Sequence, residues 1–295
     1  MPSSRPALRR PLLRAIAFAP LALALPSAAQ DLPPVEKQPI NAGPYVPSPD
    51  TVVSQMLEMA GVGPGDVLID MGSGDGRIVL TAAKLRGAQG LGIEIDERLV
   101  RLSREAAQRD GVADRAKFVR QDLFNTDVSS ATVVTIYLLP KTVDLLADKL
   151  RRDLRPGTRV ISHDYPISGW LPESWRTFEE PEKKNATGVP TATVYLYRIP
   201  APVGGTWQAS VPTELTRQKV SLTLRQQWQM LDGMANVGGR EVPLESVTLR
   251  GERVSFRLPI ERGRVAEFEG VARGARIEGS VAVGDGRLPW QAARM

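Results

Sequence analysis

Between residues 51 and 164 the hydrophobic positions change period several times. TVVSQMLEMAGV (51–62) spaces Val53, Met56, Leu57 and Ala60 three and four apart, as one helix face requires. Asp50 stands before them as the expected N-cap, with Gly61 and Gly63 as the stop. Short β-branched runs follow at 67–71 (VLIDM), 90–95 (GLGIEI), 117–121 (KFVRQ), 131–138 (ATVVTIYL) and 159–164 (RVISHD). They alternate with segments of helical period at 77–86, 97–110 and 141–154. This alternation predicts βαβ units, an α/β domain whose parallel sheet carries helices on both faces.

Beyond Asp164 the pattern shifts. SWRTFEE (174–180) and TATVYLYRI (191–199) read as an antiparallel pair completing the sheet at its edge, and IPAPVGG (199–205) as a linker. The remaining runs alternate with period two between glycine turns: GTWQASV, KVSLTLRQQWQML, EVPLESVTL, RVSFRLPI, RVAEFEGVA, RIEGSVAV and LPWQAARM. They predict a helix-free meander of about seven or eight strands, a small all-β antiparallel barrel or sandwich. The expected organisation is a leader over 1–29, a proline-rich arm over 30–50, an α/β domain over 51–200 and a β domain over 201–295.

Composition sharpens this picture in two places. The chain of 295 residues carries a formal charge of +5, but four arginines and no acid fall in the first 29 residues. The rest holds 34 basic against 33 acidic residues, and the β domain 13 against 10, so no nucleic-acid partner is expected. The leader itself, RRPLLRAIAFAPLALALPSAAQD, has a basic start, an apolar run from Ala15 to Leu25 and small residues up to Ala29. That run is shorter than the ~20 residues that span a bilayer as a helix, so a cleaved export signal is expected and no transmembrane span in the mature chain. Arg9 and Arg10 followed by Leu12 and Leu13 resemble a twin-arginine signal, which implies export of a folded protein, in a bacterium to the periplasm. The chain has no cysteine, which excludes disulfides, thiolate metal sites and cysteine nucleophiles.

The candidate chemistry begins at LIDMGSGDGRIVL (68–80), glycine-rich between an expected strand and an expected helix. A dinucleotide loop reads G-x-G-x-x-G; here the order is Asp70-x-Gly72-x-Gly74-x-Gly76, with Asp75 in the turn and no lysine or arginine inside the loop. Two carboxylates would repel a pyrophosphate and attract a cation. S-adenosyl-L-methionine answers that description: an adenosyl group, a sulfonium, an α-ammonium and no phosphate. Asp75 also suits capping of the helix that starts at Arg77, and Gly76 also suits the turn itself.

DMGSGDG resembles the first motif of class I S-adenosylmethionine-dependent methyltransferases, which have a Rossmann-like sheet. The resemblance, over about residues 45–198, implies cofactor contacts at Asp70, Gly72, Ser73, Gly74 and Gly76. It further implies that Glu94, 18 residues beyond Gly76, accepts from the ribose hydroxyls, and that Asp122 meets the adenine amino group with Leu123 and Phe124 near the ring. Methyl transfer is an in-line displacement that needs alignment, a water-poor site and a deprotonated nucleophile, and no metal is required. The fourth strand ends in Tyr137-Leu138-Leu139-Pro140, unlike the Asn/Asp-Pro-Pro-aromatic motif of base and glutamine methylating enzymes.

Taken with PYVPSP (44–49), GIEID and DLF, YLLP resembles a narrower family whose mitochondrial members methylate lysines of the adenine nucleotide translocase and of the ATP synthase c-ring protein. That resemblance implies N-methylation of a protein or peptide lysine, whose ammonium must first lose a proton from an ordinary pKa of ~10.4. Tyr137 is expected to line the acceptor channel and Tyr45 to belong to an arm closing over it. His163, the sole histidine, is a candidate proton acceptor and equally suits a structural role. The five tryptophans are expected in cores and the interdomain contact. Behind protein methylation stand two alternatives, a small-molecule acceptor and an exported noncatalytic binding protein that kept the pocket.

Overall fold

A computed structural model describes residues 44–260, 263–284 and 286–295. The expected leader and most of the arm lie outside the described residues.

The α/β unit opens with α1 (Asp50–Met59), after which strands and helices alternate: β1 (Val67–Met71), α2 (Arg77–Arg86), β2 (Gln89–Glu94), α3 (Glu97–Arg109), β3 (Ala116–Arg120), β4 (Val133–Ile136), α4 (Pro140–Asp153) and β5 (Arg159–His163). Then come β6 (Ser174–Glu179), α5 (Pro181–Thr187) and β7 (Thr191–Arg198). The sheet order is β3-β2-β1-β4-β5-β7-β6, parallel through β5, with β7 antiparallel to β5 and β6 antiparallel to β7. The central strands β1, β4 and β5 are buried on both faces, which is why they read as nearly continuous hydrophobic runs, whereas the edge strand β6 is exposed. Leu68 of β1 joins a core with Val53 and Met56 of α1 and Val79 of α2. Its neighbours Ile69 and Met71 join another with Val143, Leu146 and Leu150 of α4.

The elements follow the hydrophobic pattern, and the departures have local causes. Asp50 is not the N-cap: Pro49 precedes the helix and Asp50 is its first residue, where a carboxylate still meets the positive helix end. Strand β4 is shorter than the apolar run, because Tyr137, Leu138 and Leu139 leave the sheet to reach Pro140 at the start of α4. The short α5, which the sequence pattern did not predict, fills the β6–β7 connection; the Glu180 carboxylate accepts from the Glu182 amide at 3.3 Å.

The β unit is one antiparallel sheet of nine strands: β8 (Gly205–Ser210), β9 (Val220–Gln227), β10 (Met230–Val237), β11 (Arg240–Pro243), β12 (Glu245–Arg250), β13 (Arg253–Pro259), β14 (Val265–Arg273), β15 (Arg276–Val283) and β16 (Gly286–Arg294). Their order is β11-β10-β9-β8-β16-β15-β14-β13-β12, and its ends meet as β10 and β11 lie against β12 and β13, so the sheet nearly closes into a barrel. Trp207, Phe256, Phe268 and Trp290 fill the core; Phe256 and Phe268 stack at 4.8 Å and Trp290 meets both edge-on. The strand number exceeds expectation because two apolar runs each divide. The run 219–231 turns back at Trp228-Gln229 between β9 and β10, and 241–249 breaks at Leu244 between β11 and β12. The first turn contains no glycine, asparagine or aspartate to mark it, and Trp228 takes φ 53.

Candidate active site

Strand β1 lies between β2 and β4, where the order of connections reverses, and a cavity of about 300 Å³ opens at the carboxyl ends of the strands there. Its wall takes Gly72, Ser73, Gly74 and Asp75 after β1, Glu94 at the end of β2, Asp122 and Leu123 after β3, and Tyr137 and Leu138 after β4. The arm residues Tyr45 and Ser48 complete the wall.

The loop needs its glycines for different reasons. Gly72, Gly74 and Gly76 have φ of 85, 54 and 82, the left-handed region that side chains disfavour. A Cβ on Gly74 would lie 2.5 Å from the Tyr45 ring, whereas one on Gly76 would lie 2.6 Å from Phe118 and 2.8 Å from Ser103 Oγ. Gly74 therefore admits the arm, and Gly76 packs inward without lining the cavity. Its place is in the turn and against Phe118, the turn role that the sequence also allowed.

Asp70 is buried, accepts from Thr135 Oγ1 of β4 at 2.7 Å and borders the cavity. Burial pushes its carboxyl up to about 7; the Thr135 bond opposes this, and the negative charges of Glu94 and Asp75 add to it. Glu94 Oε2 accepts from the Gly74 amide at 2.9 Å, and Oε1 from the amides of Ile95 and Asp96 at 2.8 and 3.0 Å. One side chain thus ties the glycine loop to the end of β2. Asp122 accepts from the Phe124 amide at 2.8 Å and from Asn125 Nδ2 at 2.9 Å, a local turn that sets Leu123 in the wall.

The expectation of two uncompensated acids at the loop is corrected. Arg77 grips Asp75 with Nε and Nη2, at 2.7 Å for the shorter bond, and its Nη1 donates to the Ser48 carbonyl at 2.9 Å. Although burial opposes it, Arg77 holds the Asp75 carboxyl below the ordinary range. The Asp75 carboxylate also caps α2, accepting from the Arg77 amide at 3.2 Å. Asp70 and Glu94 remain to face a cationic ligand.

Tyr45 lies over Gly74 beside Asp75, its phenol pushed up to about 12 by burial and then by the neighbouring Asp75 carboxylate. On the opposite wall the Tyr137 ring stacks on His163 at 3.9 Å and on Tyr165 at 6.4 Å. Burial, then the charge of Asp164, pushes the Tyr137 phenol up to about 12, so it stays neutral at physiological pH. His163 is fully buried and does not line the cavity. Its Nδ1 pairs with Ser48 Oγ at 3.0 Å, its Nε2 lies 3.5 Å from Asp164, and burial lowers its pKa to about 4. The structure thus places this candidate proton acceptor in the interior, stacked on Tyr137 and outside the cavity wall. Sequence reasoning missed Arg77, Ser48 and Tyr165; only Arg77, adjacent to the glycine loop, carried a local signal.

The residues fit S-adenosyl-L-methionine. The volume is at the lower end of the ~300–1,000 Å³ common for small-molecule sites. Asp70 suits a positive centre, Glu94 has acceptor capacity for hydroxyl donors, and Ser73 Oγ is buried without a hydrogen-bond partner among the described residues.

Comparison with known proteins agrees with this geometry. The profile of the ANTKMT methyltransferase domain matches residues 70–174. A protein-lysine N-methyltransferase of Saccharolobus islandicus is 42% identical over 157 residues, 53% of this chain and 93% of that protein. The Xenopus laevis lysine N-methyltransferase of the ATP synthase c-ring protein is 38% identical over 130 residues, 44% of this chain and 57% of that protein. The adenine nucleotide translocase lysine N-methyltransferase of Mus musculus is 36% identical over 129 residues, 44% of this chain and 56% of that protein. This chain thus spans little more than half the length of these two vertebrate relatives. A crystal structure of an RNA methyltransferase from Salinibacter ruber in complex with S-adenosyl-L-homocysteine is 47% identical, with a TM-score of 0.48, over 54% of this chain and 96% of that one. The glycine loop, the carboxylates at successive strand ends and the likeness to the Saccharolobus islandicus protein converge: the chain belongs to the protein-lysine N-methyltransferase family and is an S-adenosyl-L-methionine-dependent methyltransferase.

Proposed function

We propose that the protein methylates the side-chain amine of a protein lysine. The observation that carries this reading is the convergence of Asp70, Glu94 and Tyr137 on one cavity. When bound, S-adenosyl-L-methionine supplies an electrophilic methyl carbon on a sulfonium, and transfer to a neutral amine leaves the thioether. Asp70 would hold the positive end of the cofactor, Glu94 its ribose hydroxyls and Asp122 with Leu123 its adenine, while Gly72, Ser73 and Gly74 would allow close backbone approach. Tyr137 is too weak an acid to ionise near neutral pH, so its oxygen orients the amine as a hydrogen-bond acceptor and its ring excludes water. His163 holds the ring from below. The lysine proton leaves to solvent before transfer, helped by desolvation in the channel.

The test is transfer from methyl-labelled cofactor to proteins of an extract lacking the native enzyme, followed by complete hydrolysis. Label in methyllysine supports the reading; label confined to small molecules or nucleic acid overturns it. We also read residues 1–29 as an export signal cut after Ala29, with the mature protein in the periplasm of a bacterial host. N-terminal sequencing of the periplasmic protein checks this, and an uncut cytoplasmic chain refutes it.

A further inference from the structure

The β barrel touches the loop over residues 164–173, which follows β5 and leaves the acceptor side of the cavity. Tyr165, at the start of this loop, stacks with Tyr137, and its carbonyl accepts from Ser162 Oγ at 2.6 Å. Midway, the Ile167 amide donates to Tyr197 Oη at 3.0 Å, and Ser168 is held to Asp144 of α4 by two bonds of 2.9 and 3.0 Å. Trp170 lies tilted on Tyr197 at 4.8 Å.

The loop is also held by β7, where the Glu173 amide donates to the Leu196 carbonyl at 2.7 Å and the Thr193 amide to Asp164 at 3.1 Å, and three further contacts come from the barrel. Trp228 in the β9–β10 turn stacks on Trp170 at 4.3 Å with planes 7° apart. The adjacent Gln229 Nε2 donates to the Leu171 carbonyl at 2.5 Å, and Glu173 is shared by Arg198 of β7 and Arg250 of β12. Trp228 adopts φ 53, an unfavourable backbone for a bulky residue, held by Gln226 Nε2 donating to its carbonyl at 2.8 Å. A two-residue turn with this tryptophan in the left-handed region has no local advantage over glycine or asparagine. Contact with the loop is what it gains.

We propose that Trp228 is a positioning residue for methyl transfer: by stacking on Trp170 it sets the 164–173 loop and, through it, Tyr165 against Tyr137. The barrel thereby forms part of the support of the acceptor channel. This rests on the reading of Tyr137 as the channel wall.

The experiment compares the full chain with Trp228→Ala and Trp228→Phe. Hydrogen exchange of residues 165–171 becomes about tenfold faster in Trp228→Ala, the scale of losing one aromatic pair, and returns toward wild type in Trp228→Phe. Exchange in the 72–76 loop and the affinity for S-adenosyl-L-homocysteine stay at wild-type values. With N-acetyl-lysine methylamide as acceptor probe, KM rises more than kcat falls in Trp228→Ala. A folded Trp228→Ala protein with unchanged exchange over 165–171, or equal acceleration in the 72–76 loop, overturns the proposal. Failure of wild type to bind S-adenosyl-L-homocysteine instead sinks the methyltransferase reading and leaves the exchange result to stand by itself.

Discussion

The ring of Tyr137 lies on that of His163, centroids 3.9 Å apart, with the histidine fully buried and bonded through Nδ1 to Ser48 of the arm. One pair thus joins the acceptor wall, the end of β5 and the N-terminal arm. Tyr137→Phe keeps the stack and removes only the hydroxyl, whereas Tyr137→Ala removes both. Steady-state kinetics should show a modest fall in kcat for the first and a loss of at least about tenfold in kcat/KM for the second. Equal, wild-type turnover in both would remove Tyr137 from the mechanism.

Asp70 and His163 predict opposing pH effects on stability. The Asp70 carboxyl moves from 3.8 to about 7 on folding, so its contribution is complete below 3.8 and lost as pH rises through 7. His163 moves from 6.5 to about 4, so its contribution is complete above 6.5 and lost as pH falls through 4. Each slope reaches about 1.4 kcal/mol per pH unit, and they largely cancel where they overlap. Between about pH 4.5 and 6.5, unfolding free energy relative to wild type should rise with pH in Asp70→Asn and fall with pH in His163→Gln. Parallel curves for all three proteins would refute both shifts.

The same carboxylate predicts proton-linked cofactor binding. A sulfonium beside Asp70 favours its ionised form, so affinity for S-adenosyl-L-methionine should increase as pH rises toward 7, with proton release. Calorimetry in buffers of different ionisation heat reads that proton directly. Asp70→Asn should bind more weakly and lose the pH dependence; a variant that keeps it would assign the proton elsewhere.

Glu94 accepts three backbone amides, including that of Gly74. Bonds to a charged acceptor contribute about 1.5–3 kcal/mol, so Glu94→Ala should weaken cofactor binding by at least about tenfold while the sheet stays folded. Titration calorimetry with circular dichroism on the same sample checks both halves.

Gly74 and Gly76, close in the loop but different in role, should separate binding from folding. Gly74→Ala drives a methyl into the Tyr45 ring, and Gly76→Ala drives one into Phe118 and Ser103. The first should reduce cofactor affinity more than thermal stability; the second should lower the thermal midpoint by several degrees, reflecting about 1–3 kcal/mol of overpacking and strain. The reverse ranking would contradict the assignment of Gly76 to the core.

Local rules made much of this protein legible. Hydrophobic period marked the strands and helices, and the spacing from Asp70 through Gly76, Glu94 and Asp122 put the main cavity residues at successive strand ends, because chain order and strand direction set which loops share an edge. The departures involve partners distant in sequence, or backbone states that residue type does not announce. Ser48 reaches His163 across 115 residues, and that bond occupies Nδ1 of a histidine the fold buries. Trp228 makes a turn without turn residues because Trp170 of the α/β unit receives its ring. Arg77 lay next to the loop in plain view, yet only its folding back onto Asp75 decided which of the acids in the cavity wall is charge-paired. Periodicity and glycine spacing act over a few residues, so the elements and their chemistry are written locally in the chain. Tertiary structure decided burial and pairing, since desolvation and long-range contact depend on what the finished fold brings alongside.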